Sequence, residues 1–257
     1  MRLPRRLRHG EEATLVEHLD ELRSRIIVSL VALGVGTAIA FVFQHRLLDW
    51  LSQPLPPDRR ELLTIGVAEP FLTTFKVSLW AGLALAFPVV LWQIWSFLAP
   101  AIESKSQRIV RVYVAFATGL LVVGIAFGYY VVLPKALAFL TSWNEDIFNI
   151  QIRASDYYSF VLLVLVGVGV VFELPVFVIA LVRLNVLTSR QLRKNRRLGY
   201  FIVAVVAVLL PGIDPVTTTL EALPLFVLFE GSIWLAVLME RRWRKDWHDE
   251  VLEAGGP

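Results

Sequence analysis

Six stretches of this chain are apolar over lengths that a water-soluble core does not need. They run over Ile26–Phe43, Val77–Ala99, Ile109–Leu133, Tyr157–Leu184, Leu198–Leu210 and Ala222–Met239. Hydrophobic residues make up 56% of the 257 residues and charged residues only 18%. The expected class is therefore an all-α integral membrane protein with six transmembrane helices. It forms a single membrane domain over residues 1–240, followed by a charged tail over 241–257. Proline punctuates the spans. Pro88 sits near the middle of the second, Pro134 is expected to stop the third, and Pro175 supplies a cause for a bend in the long fourth. The fifth, stopped by Pro211, is too short to cross upright. Its thirteen residues rise roughly 20 Å against a hydrocarbon core of ~30 Å. The fifth and sixth helices are expected to be a short pair that leaves the bilayer locally thin or wet.

Charge placement sets the orientation. The N-terminal segment, the loop after the second span, the segment Arg183–Arg197 and the C-terminal tail together hold 19 of the 25 basic residues, and the other side holds six. Six spans put both termini on one side, and the positive-inside rule makes that side the cytoplasm. The expected localisation is the cytoplasmic (inner) membrane of a bacterium or archaeon. Two long outer loops are expected over residues 44–76 and 134–156. No short apolar region with a cleavage site stands near the N-terminus, so no removed signal peptide is expected.

Several function classes are set aside. With no cysteine, thiol catalysis and cysteine-ligated metals are out. There is no Walker loop, dinucleotide fingerprint, HExxH or GxSxG. His9, His18, His45 and His248 do not pair at ligand spacing. Neither an enzyme nor a metal, cofactor or nucleic-acid partner is expected.

The chemistry-bearing stretch is Leu15–Arg25, LVEHLDELRSR. Leu15, Leu19, Leu22 and Ile26 make one apolar stripe at helical spacing, with Glu17, Asp20, Glu21 and Ser24 off it. This reads as an amphipathic helix lying at the membrane surface and then turning into the bilayer. Carboxylates and arginines meet where the chain enters lipid. Two more carboxylates, Glu173 and Glu230, lie inside spans, where an ionised group needs a cavity, a partner or water. Glu69 and Lys76, in AEPFLTTFK, read as interfacial anchors.

These residues together resemble the TatC family, the multispanning core of the twin-arginine protein translocase. The resemblance is carried by HLDELRSR, AEPFLTTFK, PVVLWQIWSFLAPAI, FELP, LRKNRR and LFE, in order and spacing, from about Leu15 to about Glu240. It implies a concave, cupped scaffold of six helices with both termini cytoplasmic. It also implies recognition of the paired arginines in the signal peptides of folded exported proteins. Recruitment of small single-span partners, TatA and TatB, follows, in a multimeric complex driven by the proton-motive force.

By position, Glu21 and Arg23 belong to the family's signal-binding patch, with Leu19 and His18 beside them. The second half of that patch is a glutamate six places after Pro100, but here that place is Ser106. Glu103, one turn earlier, substitutes if the loop is helical. Otherwise Glu21 carries more of the recognition, or recognition is weak. Glu173 matches the family's intramembrane glutamate and Asp214 its acidic residue in the last outer loop, with Phe71 and Pro54 as further outer-loop, partner-facing positions. An alternative reading is a proton-coupled small-molecule transporter using Glu173 and Glu230. It would need broken helices at matching places in two halves, and only the second half has the short pair. A purely structural membrane scaffold is a second alternative.

Overall fold

Five helical stretches are long and apolar enough to cross a membrane: Leu19–Val42, Glu69–Phe97, Val110–Ser142, Ala154–Arg183 and Thr217–Glu240. They belong to a computed structural model that describes residues 15–98, 107–148, 150–184, 186–209 and 215–254. Among these residues there is no strand, only one isolated bridge between Leu63 and Arg153. Two compact units are distinguished, Met1–Leu48 with Thr74–Ala115 and Asp49–Thr73 with Phe116–Pro257.

In the first unit, α1 (Leu15–Val42) is one unbroken helix from the charged stretch into the apolar one. The expected turn between a surface helix and a membrane helix is absent. No proline or glycine occurs between Leu15 and Leu33 to interrupt the hydrogen-bond ladder. α1 packs antiparallel on the Thr74–Leu98 part of α3 (Glu69–Leu98). The crossing is made by two glycines. A Cβ added at Gly36 would lie 2.5 Å from the Gly82 carbonyl oxygen, and one at Gly82 would lie 2.4 Å from the Thr37 nitrogen. Backbones therefore touch, which is how helices associate where apolar burial alone gives no advantage over lipid. Outward from this contact, Ile26, Leu30, Val31, Val35, Ile39 and Val42 are exposed, a face suited to acyl chains.

The second unit begins with the end of α2 (Gln44–Ser52). The last carbonyls of a helix lack partners within it. Tyrosines supply them here: the Tyr129 hydroxyl donates to the Trp50 carbonyl at 2.6 Å and the Tyr157 hydroxyl to the Leu51 carbonyl at 2.7 Å. Tyr129 also stacks on Trp50, with ring centroids 4.0 Å apart.

Pro134 does not stop the third span. The order is α4 (Gln107–Phe127), a π-helical stretch over Gly128–Val132, then α5 (Leu133–Ser142). The Leu133 amide reaches back five residues to the Gly128 carbonyl. The widened turn lets Pro134 stand in the first turn of α5, where its missing N–H costs nothing.

The fourth span does break, as α6 (Ala154–Phe172) and α7 (Leu174–Arg183), with Glu173 between them. Pro175 has no N–H for the Val171 carbonyl, and the ladder opens just before it.

After α8 (Ser189–Lys194), α9 (Arg196–Leu209) is short, as expected. The sixth helix is not: α10 runs Pro215–Ala254, and its apolar part alone covers 24 residues. The charged segment after Met239 continues the helix, since it holds no glycine or proline before Gly255. α6, α9 and α10 share a core of Val171, Val203, Leu225, Phe229 and Ile233, and α7 and α10 continue it with Val178, Val182 and Ala236.

Candidate functional site

The HLDELRSR stretch forms the first turns of α1. Helical spacing puts Glu21 and Arg25 one turn apart on the same side. The Arg25 Nε donates to Glu21 Oε1 at 3.1 Å, and Nη2 donates to the same oxygen. Arg25 also reaches α3: Nη1 donates to Gln93 Oε1 at 3.3 Å and Nη2 to the Ser96 carbonyl at 3.4 Å. Ser96 is two residues from the end of α3, among carbonyls with no intrahelical partner. A cation there also faces the negative end of the helix dipole. Beside it, Trp95 and Tyr113 are buried and stack with centroids 4.6 Å apart, which joins the end of α3 to the start of α4. The site is thus a half-buried carboxylate fixed by an arginine that is itself anchored on the end of α3.

Around it, Leu19, Asp20, Leu22 and Arg23 are exposed. The apolar stripe of Leu19, Leu22 and Ile26 is 64%, 37% and 49% exposed, so it is not spent on packing within the chain. The structure joins Glu21 to Arg25 and leaves Arg23 exposed on the same turns. The i,i+4 spacing in ELRSR was the available signal. His18 belongs to α1, but its side chain lies outside the described residues, as do Glu103, Ser106 and Asp214.

The intramembrane carboxylates differ. Glu230 on α10 accepts a hydrogen bond from the Tyr200 hydroxyl and pairs with Arg196 Nη2 at 3.4 Å, both on α9. It acts as a polar fastener between two helices. Glu173 sits at the break between α6 and α7, and its Oε1 is buried without a hydrogen-bond partner among the described residues. Close packing of α4 on α6 holds it there, since a Cβ at Gly124 would lie 2.8 Å from the Phe172 Cβ.

Sequence reasoning missed the role of Glu69. It is buried, and its carboxylate collects five donors. Oε1 accepts from Arg153 Nε at 2.9 Å and the Ser155 amide at 3.2 Å; Oε2 accepts from Arg153 Nη2 and the Ile65 amide, both at 3.0 Å, and the Gly66 amide at 3.1 Å. The Leu63 amide donates to the Ile152 carbonyl at 2.9 Å, and the Ala154 amide donates to the Leu63 carbonyl at 2.8 Å. Glu69 thus fastens two loops to the starts of α3 and α6, and its hydrogen bonds push the Arg153 guanidinium pKa upward. It is a structural clamp at the start of a span. Phe71, in the first turn of α3, is exposed, and Pro54 is half-buried in the turn after α2.

Among the described residues, no three histidine, aspartate or glutamate side chains come together to hold a metal ion.

A family model for TatC, the Sec-independent protein translocase protein, matches residues 17–224. The chain is 38% identical to a Sec-independent protein translocase protein TatC of Carboxydothermus hydrogenoformans, over 87% of this chain and 92% of that one. It is 34% identical to TatCd of Bacillus subtilis over 92% and 97%. A crystal structure of the twin arginine translocase receptor TatC in DDM superposes with a TM-score of 0.75 at 34% identity, covering 85% of this chain and 99% of that one. The chain therefore belongs to the TatC family of Sec-independent protein translocase proteins and is a multi-pass membrane protein of the Tat system.

Proposed function

We propose that this chain is the receptor subunit that reads the paired arginines of twin-arginine signal peptides at the cytoplasmic face. It then recruits TatA- and TatB-type single-span partners in a multimeric complex. The observation that carries the reading is Glu21, a carboxylate held in place at the end of α1 beside an exposed apolar stripe. A guanidinium is always charged and presents a planar fork that matches a carboxylate. The apolar part of a signal peptide has Leu19, Leu22 and the lipid-facing side of α1 to lie against. Glu103 takes the place of the carboxylate missing at Ser106, and Arg23 stays at the rim. Asp214, Phe71 and Pro54 serve the partners on the opposite side. The transporter alternative has less support, because Glu230 is tied to Tyr200 and Arg196 rather than left to carry a proton.

The test is photocrosslinking of a twin-arginine signal peptide to probes at positions 21 and 103, with a twin-lysine peptide as control. Arginine-dependent crosslinks at both positions are expected. Crosslinks at 21 alone would leave the receptor role in place and remove Glu103 from it. No crosslink at either, in correctly inserted protein, would favour a structural scaffold. In cells, Glu21→Ala should lower export of a twin-arginine reporter at unchanged protein level. It should weaken binding by about 10- to 100-fold, as expected for losing a hydrogen bond to a charged group.

A further inference from the structure

We infer that Arg25 is a positioning residue for arginine recognition, fixing Glu21 by one carboxylate oxygen and leaving the other for the incoming guanidinium. This rests on the receptor reading above. An isolated arginine and carboxylate commonly pair through two parallel bonds, one to each oxygen. Here both Arg25 bonds to Glu21 fall on Oε1, and among the described residues Oε2 accepts none. The cause lies on α3. Gln93 Oε1 and the Ser96 carbonyl take further Arg25 donors, so the guanidinium is held by α3 and cannot swing to cover both oxygens.

Two consequences follow. Glu21 is held before the ligand arrives, so less side-chain freedom is lost on binding. The site also already contains a guanidinium. A second guanidinium, planar and weakly hydrated, approaches such a neighbour at lower cost than a compact, strongly hydrated ammonium. Arg25 therefore contributes to preference for arginine over lysine, beyond contributing to affinity.

The experiment measures affinity of full-length protein in nanodiscs for a labelled twin-arginine signal peptide and its twin-lysine counterpart. The variants are Glu21→Gln, Arg25→Gln, Arg25→Lys and the double Glu21→Gln/Arg25→Gln. Arg25→Gln is expected to weaken twin-arginine binding about tenfold while changing twin-lysine binding little, so discrimination collapses. Arg25→Lys should not restore it, because one ammonium cannot reach Glu21, Gln93 and Ser96 in the same planar array. The double variant should bind no more weakly than Glu21→Gln, because Arg25 acts through Glu21.

Wild-type affinity in Arg25→Gln, tighter binding in it, or losses that multiply in the double variant would each overturn the inference. If Glu21→Gln itself binds like wild type, the receptor reading fails first. Should Arg25→Gln not fold, Gln93→Ala removes one anchor and keeps the arginine. It is expected to lose discrimination partially in the same direction, and unchanged discrimination there overturns the inference equally.

Discussion

The clamp at Glu69 shows how one side chain can hold distant parts of a chain. Its carboxylate accepts three backbone amides and a bidentate arginine. Removing it leaves those amides and a cation without partners, which costs more than the hydrogen bonds themselves were worth. Glu69→Ala is expected to lower the thermal transition of the purified protein by on the order of 5 °C. Arg153→Ala should act in the same direction, and the double variant should fall short of the sum, because both residues serve one contact. Additive losses would show that the two act separately. The sequence carries Glu69 and Arg153 in plain view, but 84 residues apart, and no local pattern links positions at that separation. Glu21 and Arg25 are four apart on a helix, and their pairing could be read directly. What Arg25 does with Gln93 was not legible, since it depends on how α1 and α3 pack.

Between elements, contacts in this protein are set by where backbones can touch. Gly36 and Gly34 lie two residues apart on α1 and make a matched pair. A Cβ at Gly36 would collide with the Gly82 carbonyl, whereas one at Gly34 would meet nothing within 4 Å. Gly36→Ala is expected to destabilise by about 1–3 kcal/mol through overpacking. Gly34→Ala should be neutral or gain up to about 1 kcal/mol, because it removes backbone freedom at an open site. Thermal unfolding of the two variants separates them, and equal effects would mean that the glycine crossing does not hold α1 to α3.

The break at Glu173 carries a second expectation. A carboxylate oxygen that is buried in a span without a protein partner needs water or a ligand nearby, so we expect water to reach it. The chain has no cysteine of its own, so Glu173→Cys is a single reporter. A water-soluble thiol reagent should label it, and complete protection would count against a hydrated site. Pro175 signalled the break in the fourth span, and hydropathy marked the five long spans. It misplaced their ends for two physical reasons: a proline in the first turn of a new helix segment, like Pro134, does not terminate the span, and charged residues after Met239 continue a helix as readily as leucines.

For the molecule as a whole, the open quantity is the number of crossings, and it turns on α9. Five helices are long enough to cross, but α9 has 14 residues, rising about 21 Å against a hydrocarbon core of ~30 Å. If α9 does not cross, α10 runs the other way and its charged end moves to the opposite side. Arg241, Arg242, Arg244 and Lys245 would go with it, and the 19-to-6 division of basic residues would become 15 to 10. The sharper division is the one the positive-inside rule favours. α9 also begins with Arg196 and Arg197, which anchor one end at an interface, and Val208 and Leu209 at the other end are 70% and 77% exposed. Those are features of a helix in lipid whose surrounding bilayer thins to meet it. We therefore expect α9 to cross and both termini to be cytoplasmic. Single cysteines introduced at position 4, in the loop at position 148 and at position 250 test this in intact cells with a reagent that does not cross the membrane. Labelling at 148 alone is the expected result. Labelling at 250 together with 148 would mean that α9 turns back within the membrane, and the short helix would then be a re-entrant element rather than a span.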